Sequence, residues 1–450
     1  MSSSSESSTR LIILTYGESH DDNVPDGSVE HDATFEERQQ KKLIKAKSLK
    51  VRGNFNRKTW MTPHIQNLLD RRMPRLETLV IHHVDDQGKP TVAKFPSDLD
   101  GSLCWWQSHD FKHLSLLNVA DFPSTDSDFW TRLQYLTLGP CNATRPSITT
   151  AQLVKALSSA TSLVCLKMDK FLSAVVLPTD SRELRNRTSW GLESLYIEDA
   201  PGNIRSFLQS FQRLLSNCKT FFITETEATD DPPFIRTIPY KWNPQSLNIV
   251  RLTVAPEGPY VVVSGTGATN ASSFTLRTPS FNFDTGVCYL PCLFRPFATR
   301  RLQELDVTFP DSTVPQADLD SWTQIFTQLR TVTTLTLRAA GGTTRPLANA
   351  LAAVARTLPG LASLDVVGLR FEAAELKEIV GSAHSHWAEG RPRPPIAHLG
   401  VGYVRRRDRD RAREYSASSR SLASWLEKCV APGGFEVWCQ HQERRQLVGR

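Results

Sequence analysis

The sequence predicts an α/β solenoid, in which short parallel strands alternate with helices along most of the chain. One apolar pattern, written apolar-x-x-apolar-x-apolar, recurs from near the start to beyond residue 396. Most neighbouring copies are about 26–35 residues apart, enough for one strand and one helix. The stretches between the copies carry helical periodicity. Because neither a strand nor a helix of this kind buries its apolar side alone, each unit must stack on the next.

The strand pattern is clearest at Leu133, Leu136 and Leu138. One such copy proves little, since any half-buried strand supplies it, but eleven copies in near-regular phase predict a repeat of about 12 to 14 units. Two further copies, beginning at Leu11 and Ala46, fit more weakly. The eleven copies begin at Leu76, Leu114, Leu133, Leu163, Leu192, Cys218, Ile249, Leu302, Val332, Leu361 and Ile396.

The predicted helices lie between these strands. Ile204, Phe207, Leu208 and Phe211 follow a helical spacing on one face, and Asn203 stands where an N-cap belongs. Similar apolar faces are predicted within 153–157, 319–329, 347–358 and 373–380.

The best copy, which ends at Cys141, resembles the leucine-rich repeat consensus with Cys at the position that the consensus gives to Asn or Cys. Ala200, Pro310 and Ala340 occupy that position in other copies, so the repeats are degenerate. The resemblance implies a right-handed, horseshoe-shaped leucine-rich-repeat solenoid, with parallel strands on the concave face and helices on the convex face.

Long insertions, Arg-Leu-x-x-Leu strand openings and frequent Trp are similar to the repeat region of fungal F-box proteins. That resemblance implies a substrate-recognition subunit of a cullin-type ubiquitin ligase, with an F-box adaptor and a cullin as partners. No F-box motif is visible; the nearest likeness, Leu358-Pro359-Gly360-Leu361, runs straight into a repeat strand. Since Leu11 already begins a strand-like pattern after a short polar start, either that strand is misread or the protein begins upstream.

The organisation of the chain follows from these patterns and from composition. Acidic and Gly/Ser/Thr/Pro-rich stretches interrupt the repeat and predict insertions. The expected segments are a disordered polar N-terminus at 1–10, a solenoid at 11–403 with a disordered acidic insertion at 18–40 and an irregular region at 255–300, an Arg-rich loop at 404–416, and a C-terminal capping helix and strand at 417–450. The irregular region has room for one more distorted repeat near Phe274.

Charge, hydropathy and cysteine usage indicate the cellular compartment of the protein. The formal charge of +6 over 450 residues is mild, and the polar start 1–6 is not typical of a signal peptide. The most apolar long window, 347–369, contains charges and the breaker pair Pro359-Gly360, so no membrane span is expected. We expect an intracellular protein, cytoplasmic and/or nuclear, with reduced thiols, of which Cys141, Cys165 and Cys218 lie beside apolar strands.

No group of residues predicts catalysis, a metal, a cofactor or a small-molecule ligand. Gly265 and Gly267 follow an apolar run, but Asn270 replaces the third small residue of a dinucleotide-binding fingerprint, which favours a surface loop. The Cys288/Cys292 and His384/His386 pairs lack the four converging ligands of structural zinc. The chain is therefore expected to be non-enzymatic.

The rival hypothesis is nucleic-acid or membrane-surface binding through the run from Arg405 to Arg413. Its six arginines can contact phosphates, but two interspersed aspartates weaken their field. Nucleic acid is therefore the less favoured partner, and a protein partner of unknown identity is preferred.

The candidate site is the outward side of the strands. Side chains alternate along a strand, so the variable positions beside the second apolar residue point away from the core, and neighbouring strands are only about 4.8 Å apart. Aromatic residues with a few charges are typical of protein-binding hot spots. The predicted concave-face contacts are Tyr135, Lys167, Asp169, Tyr196, Glu198, Phe222 and Arg251.

Overall fold

The structure is a computed structural model that describes part of the chain. The described residues fall into two units, Met1–Ile223 and Thr224–Arg450. They are 11–15, 46–56, 73–85, 87, 89–95, 109–124, 128–141, 148–177, 191–227, 237–239, 247–268, 272–279, 301–309, 319–338, 345–352, 358, 360–367, 378–379, 398–404 and 435–440.

The first unit is built on a ladder of parallel strands that follow one another in chain order. Strands β6 and β8 stand apart from the ladder as a short parallel pair. The strands are β1 (Leu11–Thr15), β2 (Ser48–Gly53), β3 (Thr78–His83), β4 (His113–Leu117), β5 (Tyr135–Leu138), β6 (Ile148–Thr149), β7 (Cys165–Asp169), β8 (Val175–Val176), β9 (Ser194–Asp199) and β10 (Thr220–Glu225), which ends just beyond the unit boundary.

Apolar side chains set the register of this ladder. Leu79 of β3 pairs with Leu49 of β2 and Leu114 of β4, and the row continues through β5 and β7 to Leu195 of β9. Each of these leucines is at most 1% exposed. Complete burial of a leucine contributes about 1.5–3 kcal/mol, and a slip by one residue would turn the whole row to solvent. The buried row of leucines therefore fixes the register of these strands.

In the described part of the first unit, three helices and a 3₁₀ turn at Leu172–Ala174 lie between the strands. The middle helix starts at a capping box, in which Thr149 and Gln152 bond reciprocally. The last helix begins at Pro201, so Asn203 lies inside its first turn and the predicted N-cap at Asn203 is wrong. Proline is favoured at the first helical position because an N–H group there has no partner within the helix, so its absence costs nothing. The helices are α1 (Phe129–Arg132), α2 (Thr150–Ser159) and α3 (Pro201–Phe211).

The second unit combines a parallel ladder with an antiparallel excursion. Strand β11 pairs in parallel with β14, and the ladder continues in order to β18. Helices α4 and α5 pack against each other. The elements are β11 (Ile249–Glu257), β12 (Tyr260–Gly267), β13 (Ser273–Thr278), β14 (Glu304–Thr308), α4 (Leu319–Gln328), β15 (Thr334–Arg338), α5 (Arg345–Ala352), β16 (Ser363–Val367), β17 (His398–Val404) and β18 (Phe435–Gln440).

Part of the region expected to be irregular, 255–300, is regular strand. β11, β12 and β13 form an antiparallel meander, with Gly258 at a positive φ of 60° in the first turn. Gly265 and Gly267 lie inside β12 and not in a surface loop, and Gly265 pairs with Leu252. Phe274 belongs to β13, which pairs antiparallel to β12. The excursion therefore departs from the strand-and-helix unit predicted from the repeat.

Two strand copies are registered differently from the sequence prediction. Leu114 pairs with Leu79, which makes Phe111 the first apolar residue of that copy and moves the copy three residues upstream. In β1, Ile12 and not Leu14 pairs with Leu49. Phe111 is fully buried, so an aromatic ring fills the place expected for leucine.

In four of the described repeats, a buried polar residue stands two positions after the third apolar residue of the strand pattern; these residues are His83, Asn118, Asp199 and Glu225. Asn118 Nδ2 donates to the carbonyl of His83 at 3.0 Å, and Asp199 Oδ2 accepts from the Leu172 N–H at 2.9 Å. Glu225 occupies the same position in β10 and is 1% exposed. The repeat pattern predicted this residue one position later, where Ala200 stands. These side chains satisfy buried polar groups between successive repeats.

Candidate functional site

The outward face of the first unit's ladder carries most of the predicted contacts. Lys167 of β7 pairs in register with Tyr196 of β9, and Asp169 pairs with Glu198. Phe222 follows on β10, with its ring centroid 5.9 Å from that of Tyr196. We call these five residues the acidic–aromatic patch. Lys167 is exposed and the other four are half-exposed.

The acidic–aromatic patch brings two carboxylates together on neighbouring strands. Asp169 and Glu198 carry no ion pair with another described residue, although Lys167 lies in the same patch. In-register neighbours are about 4.8 Å apart, so the two carboxylates stand side by side. Adjacent like charges repel each other, and a cationic group from outside would relieve that repulsion.

Tyr135 lies on the same face but in a different row. Its register partner on β7 is Cys165, and its ring stacks on that of His113 with centroids 4.3 Å apart and planes 3° apart. Tyr135 is 40% exposed, which makes the stack a flat aromatic surface beside the patch. Burial is the main cause that lowers the pKa of His113, followed by the opposing effect of Glu77, so the uncharged ring is favoured.

Arg251, the seventh predicted contact, belongs to the second unit. Its Nε lies 2.5 Å from Glu304 on the neighbouring strand, and this carboxylate raises the pKa of the guanidinium. Arg338 and Asp306 form another ion pair on this ladder, at 3.2 Å. The ladder of the second unit thus carries two ion pairs between described residues of neighbouring strands, whereas the carboxylates of the acidic–aromatic patch have none with another described residue.

Three basic residues at the other end of the first unit's outward face were not predicted from the sequence. Arg52 of β2 pairs in register with His82 of β3, and Lys50 lies two residues before Arg52 on the same side of β2. The signal was present in the sequence, but the repeat beginning at Ala46 fits the pattern weakly and its variable positions were not considered.

The described cysteines of the first unit are Cys141, Cys165 and Cys218, and their thiols are unsuited to chemistry. Cys141 and Cys218 are buried, and burial raises the pKa of each thiol to about 12. Cys165 is half-buried, and burial raises its pKa as well. Thiols held in this form are poor nucleophiles and poor metal ligands. In the described parts of both units, no three His, Cys, Asp or Glu side chains converge as a metal site would require.

Several candidates from the sequence lie outside the described residues. These are the acidic insertion 18–40, the Cys288/Cys292 and His384/His386 pairs, and the run from Arg405 to Arg413.

No family model matches the chain, and no curated protein matches it. Among solved structures, the chain is similar to a crystal structure of an internalin from Listeria monocytogenes, with 13% identity, coverage of 90% of this chain and 89% of that chain, and a TM-score of 0.27. Within the described part of the chain, no helix is both long and apolar enough to cross a membrane. The assignment of a repeat fold accordingly stands on the strand registers given above.

Proposed function

We propose that this chain is a non-enzymatic scaffold of the leucine-rich-repeat type that binds a partner protein through the acidic–aromatic patch. The observation that carries the proposal is the contact between Tyr196 and Phe222 beside two carboxylates that have no described ion-pair partner. Large aromatic side chains contribute much contact area and lose few rotamers on binding. Partner proteins use such residues as hot spots.

The backbone under the patch supports this assignment. All five residues stand on strands that are hydrogen-bonded to neighbours on the ladder. The backbone of such a surface is already ordered before a partner binds. Binding therefore costs less conformational entropy than it would on a flexible loop. A repeat ladder also presents side chains in rows, which suits an extended polypeptide surface.

A narrower form of the proposal makes the chain a substrate-recognition subunit of a cullin-type ubiquitin ligase, with an F-box adaptor as the bridging partner. It rests on the resemblance of the repeat sequence to fungal F-box proteins. Affinity purification of the tagged full chain from its native host, followed by mass spectrometry, tests it. Recovery of an adaptor and a cullin supports the ligase role, and recovery of other partners without them contradicts it.

The broader proposal is tested with the partner that copurifies with the wild-type chain. Tyr196→Ala with Phe222→Ala should weaken its binding by about tenfold or more, since truncation of a hot-spot residue costs more than about 1 kcal/mol. Val176→Ala is the matched control, because Val176 is 52% exposed and lies on β8, outside the ladder. Titration calorimetry measures the dissociation constant of each variant. Equal values for the double variant and the wild type would contradict the assignment of the binding surface to the patch.

A further inference from the structure

The acidic–aromatic patch combines two kinds of group that together favour one kind of cation. Tyr196 and Glu198 lie two residues apart on the outward side of β9, about 6.6 Å along the strand. Asp169 pairs in register with Glu198, and the ring of Phe222 lies beside that of Tyr196. The face of an aromatic ring attracts a cation, and a carboxylate accepts hydrogen bonds from its N–H groups. A side chain with a flat cationic face and several N–H donors therefore matches this surface.

The second unit holds one of its own arginines with the same combination of groups. The guanidinium carbon of Arg277 lies 5.3 Å from the centre of the Tyr260 ring, and its Nη2 lies 3.3 Å from Glu257 Oε1. Tyr260 and Glu257 are register partners at the turn between β11 and β12, and Arg277 stands on β13. In this chain, a tyrosine ring and a nearby carboxylate thus hold one guanidinium between them.

Among the described residues of the first unit, no basic side chain fills this place in the acidic–aromatic patch. Asp169 and Glu198 have no ion pair with another described residue. Lys167, the register partner of Tyr196, and Lys170, which follows Asp169, are both exposed and form no ion pair with these carboxylates. Two carboxylates against one ammonium group give the patch a net negative charge, which complements a basic segment of a partner.

We propose that the acidic–aromatic patch binds an arginine of the partner protein, whose guanidinium lies over Tyr196 and donates hydrogen bonds to Asp169 and Glu198. The inference rests on the proposed function, because it names the chemistry of the partner that this patch binds. Arginine is favoured over lysine, since a planar guanidinium stacks on a ring and presents several fixed N–H donors, whereas an ammonium group is compact and strongly hydrated. The occupant is an arginine-containing segment of a partner polypeptide.

The test uses the full chain and a fluorescently labelled hexapeptide in which arginine and glycine alternate, followed by fluorescence anisotropy at low ionic strength. Asp169→Asn with Glu198→Gln should weaken peptide binding by about fivefold or more, since each exposed ion pair contributes up to about 1 kcal/mol. The matched control, Asp110→Asn with Asp128→Asn, removes the same charge from two exposed positions outside the patch. Equal weakening in both double variants means non-specific attraction and overturns the proposal.

A lysine substitution provides a second readout with the opposite sign, which does not depend on the carboxylate variant. Lys167 stands on the strand beside Tyr196 and repels a cation bound over that ring. Lys167→Gln should therefore tighten binding of the arginine peptide by about twofold or more. Lys94→Gln, which removes one charge from an exposed position between β3 and β4, is the control. An affinity that does not rise in Lys167→Gln, or that rises equally in both variants, contradicts a guanidinium over Tyr196.

The same peptide with lysine in place of arginine tests the choice of cation. The arginine peptide should bind the wild-type chain about twofold or more tightly than the lysine peptide. Tyr196→Leu should reduce this difference, because it removes the ring beneath the guanidinium. Equal affinity of the wild-type chain for the two peptides would assign the patch to positive charge in general and overturn the proposal.

The partner that copurifies with the wild-type chain separates this inference from the proposed function. If Tyr196→Ala with Phe222→Ala weakens binding of that partner but Asp169→Asn with Glu198→Gln does not, the arginine inference is overturned and the proposed function stands. If neither double variant weakens partner binding, while binding of the arginine peptide depends on the carboxylates, the proposed function is contradicted and the patch remains an arginine site. Each of the two can therefore fail without the other.

Discussion

At the scale of single residues, buried polar groups set how the two units respond to pH. His83 Nδ1 accepts the backbone N–H of Phe55 at 3.0 Å, so its proton must reside on Nε2, which lies 2.9 Å from Thr91 Oγ1. A second proton on Nδ1 would face the N–H of Phe55 and break this bond. Burial is the main cause that lowers the pKa of His83.

Acid should therefore destabilise the first unit. The unfolded chain takes up a proton at His83 near pH 6.5, whereas the folded chain resists it, so the stabilisation present above pH 6.5 is lost as the pH falls through the lowered pKa. His83→Asn keeps an acceptor but cannot titrate, and it should flatten the fall. Urea unfolding between about pH 5 and pH 8, the range in which histidines usually titrate, measures the pH dependence of the free energy of unfolding. If the free energy of unfolding depends on pH with the same slope in the variant and the wild type, His83 is not the responsible group.

Glu225 should act in the opposite sense in the second unit. Burial raises the pKa of this carboxyl from 4.5 to about 7, and the nearby hydroxyls of Thr237 and Thr278 partly oppose the rise. The folded state holds a proton that the unfolded state has released, so the stabilisation is present below pH 4.5 and is lost as the pH rises through 7.

The change amounts to on the order of 3 kcal/mol between pH 4.5 and pH 8. Glu225→Gln, which stays uncharged and retains an acceptor for Thr237, should remove most of it. Denaturant unfolding of the full chain at several pH values gives the comparison. A variant that keeps the alkaline loss of stability shows that another group is responsible.

At the scale of elements, the alternation of buried residues specified most strands, because it determines both the inward face and the pairing. It failed at β4, where Phe111 replaces the expected leucine and Leu117 imitates the pattern by chance. It also failed at the antiparallel meander, since a period cannot reveal that two strands reverse direction. The start of α3 was misplaced because Asn203 was preferred to Pro201, whose favourable position was the better signal.

The turn after β5 shows how closely successive repeats approach. Gly139 has φ of +107°, and a Cβ added there would lie 1.8 Å from the carbonyl oxygen of Asp169 on the next repeat. Gly139→Ala should lower the free energy of unfolding by on the order of 2–4 kcal/mol through strain and overpacking. A Cβ on Gly202 of α3 would meet nothing within 4 Å, so Gly202→Ala is the control. Thermal unfolding measures the loss of stability in each variant. Equal losses in Gly139→Ala and Gly202→Ala would contradict the close packing at Gly139.

At the scale of the whole molecule, each unit presents a ladder face, and the described faces differ in how their charges are used. In the second unit, Arg251 pairs with Glu304 on a strand 53 residues away in sequence. In the first unit, Asp169 and Glu198 of the acidic–aromatic patch have no ion pair with another described residue. The repeat sequence indicated which side chains face outward, but it could not reveal which of them neutralise each other, because ion pairing depends on side-chain geometry across the ladder.

Site-specific photo-crosslinking tests the central claim, that a partner protein binds the outward face of the first unit. A photoreactive phenylalanine analogue replaces Tyr196 in one variant, Tyr135 in a second and Lys155 on helix α2 in a third, each expressed in the native host. We predict that the first two variants trap the same protein and that excess unlabelled wild-type chain competes for it. The third variant should not trap it. Trapping of that protein only from position 155, or equally from all three positions, would contradict the account.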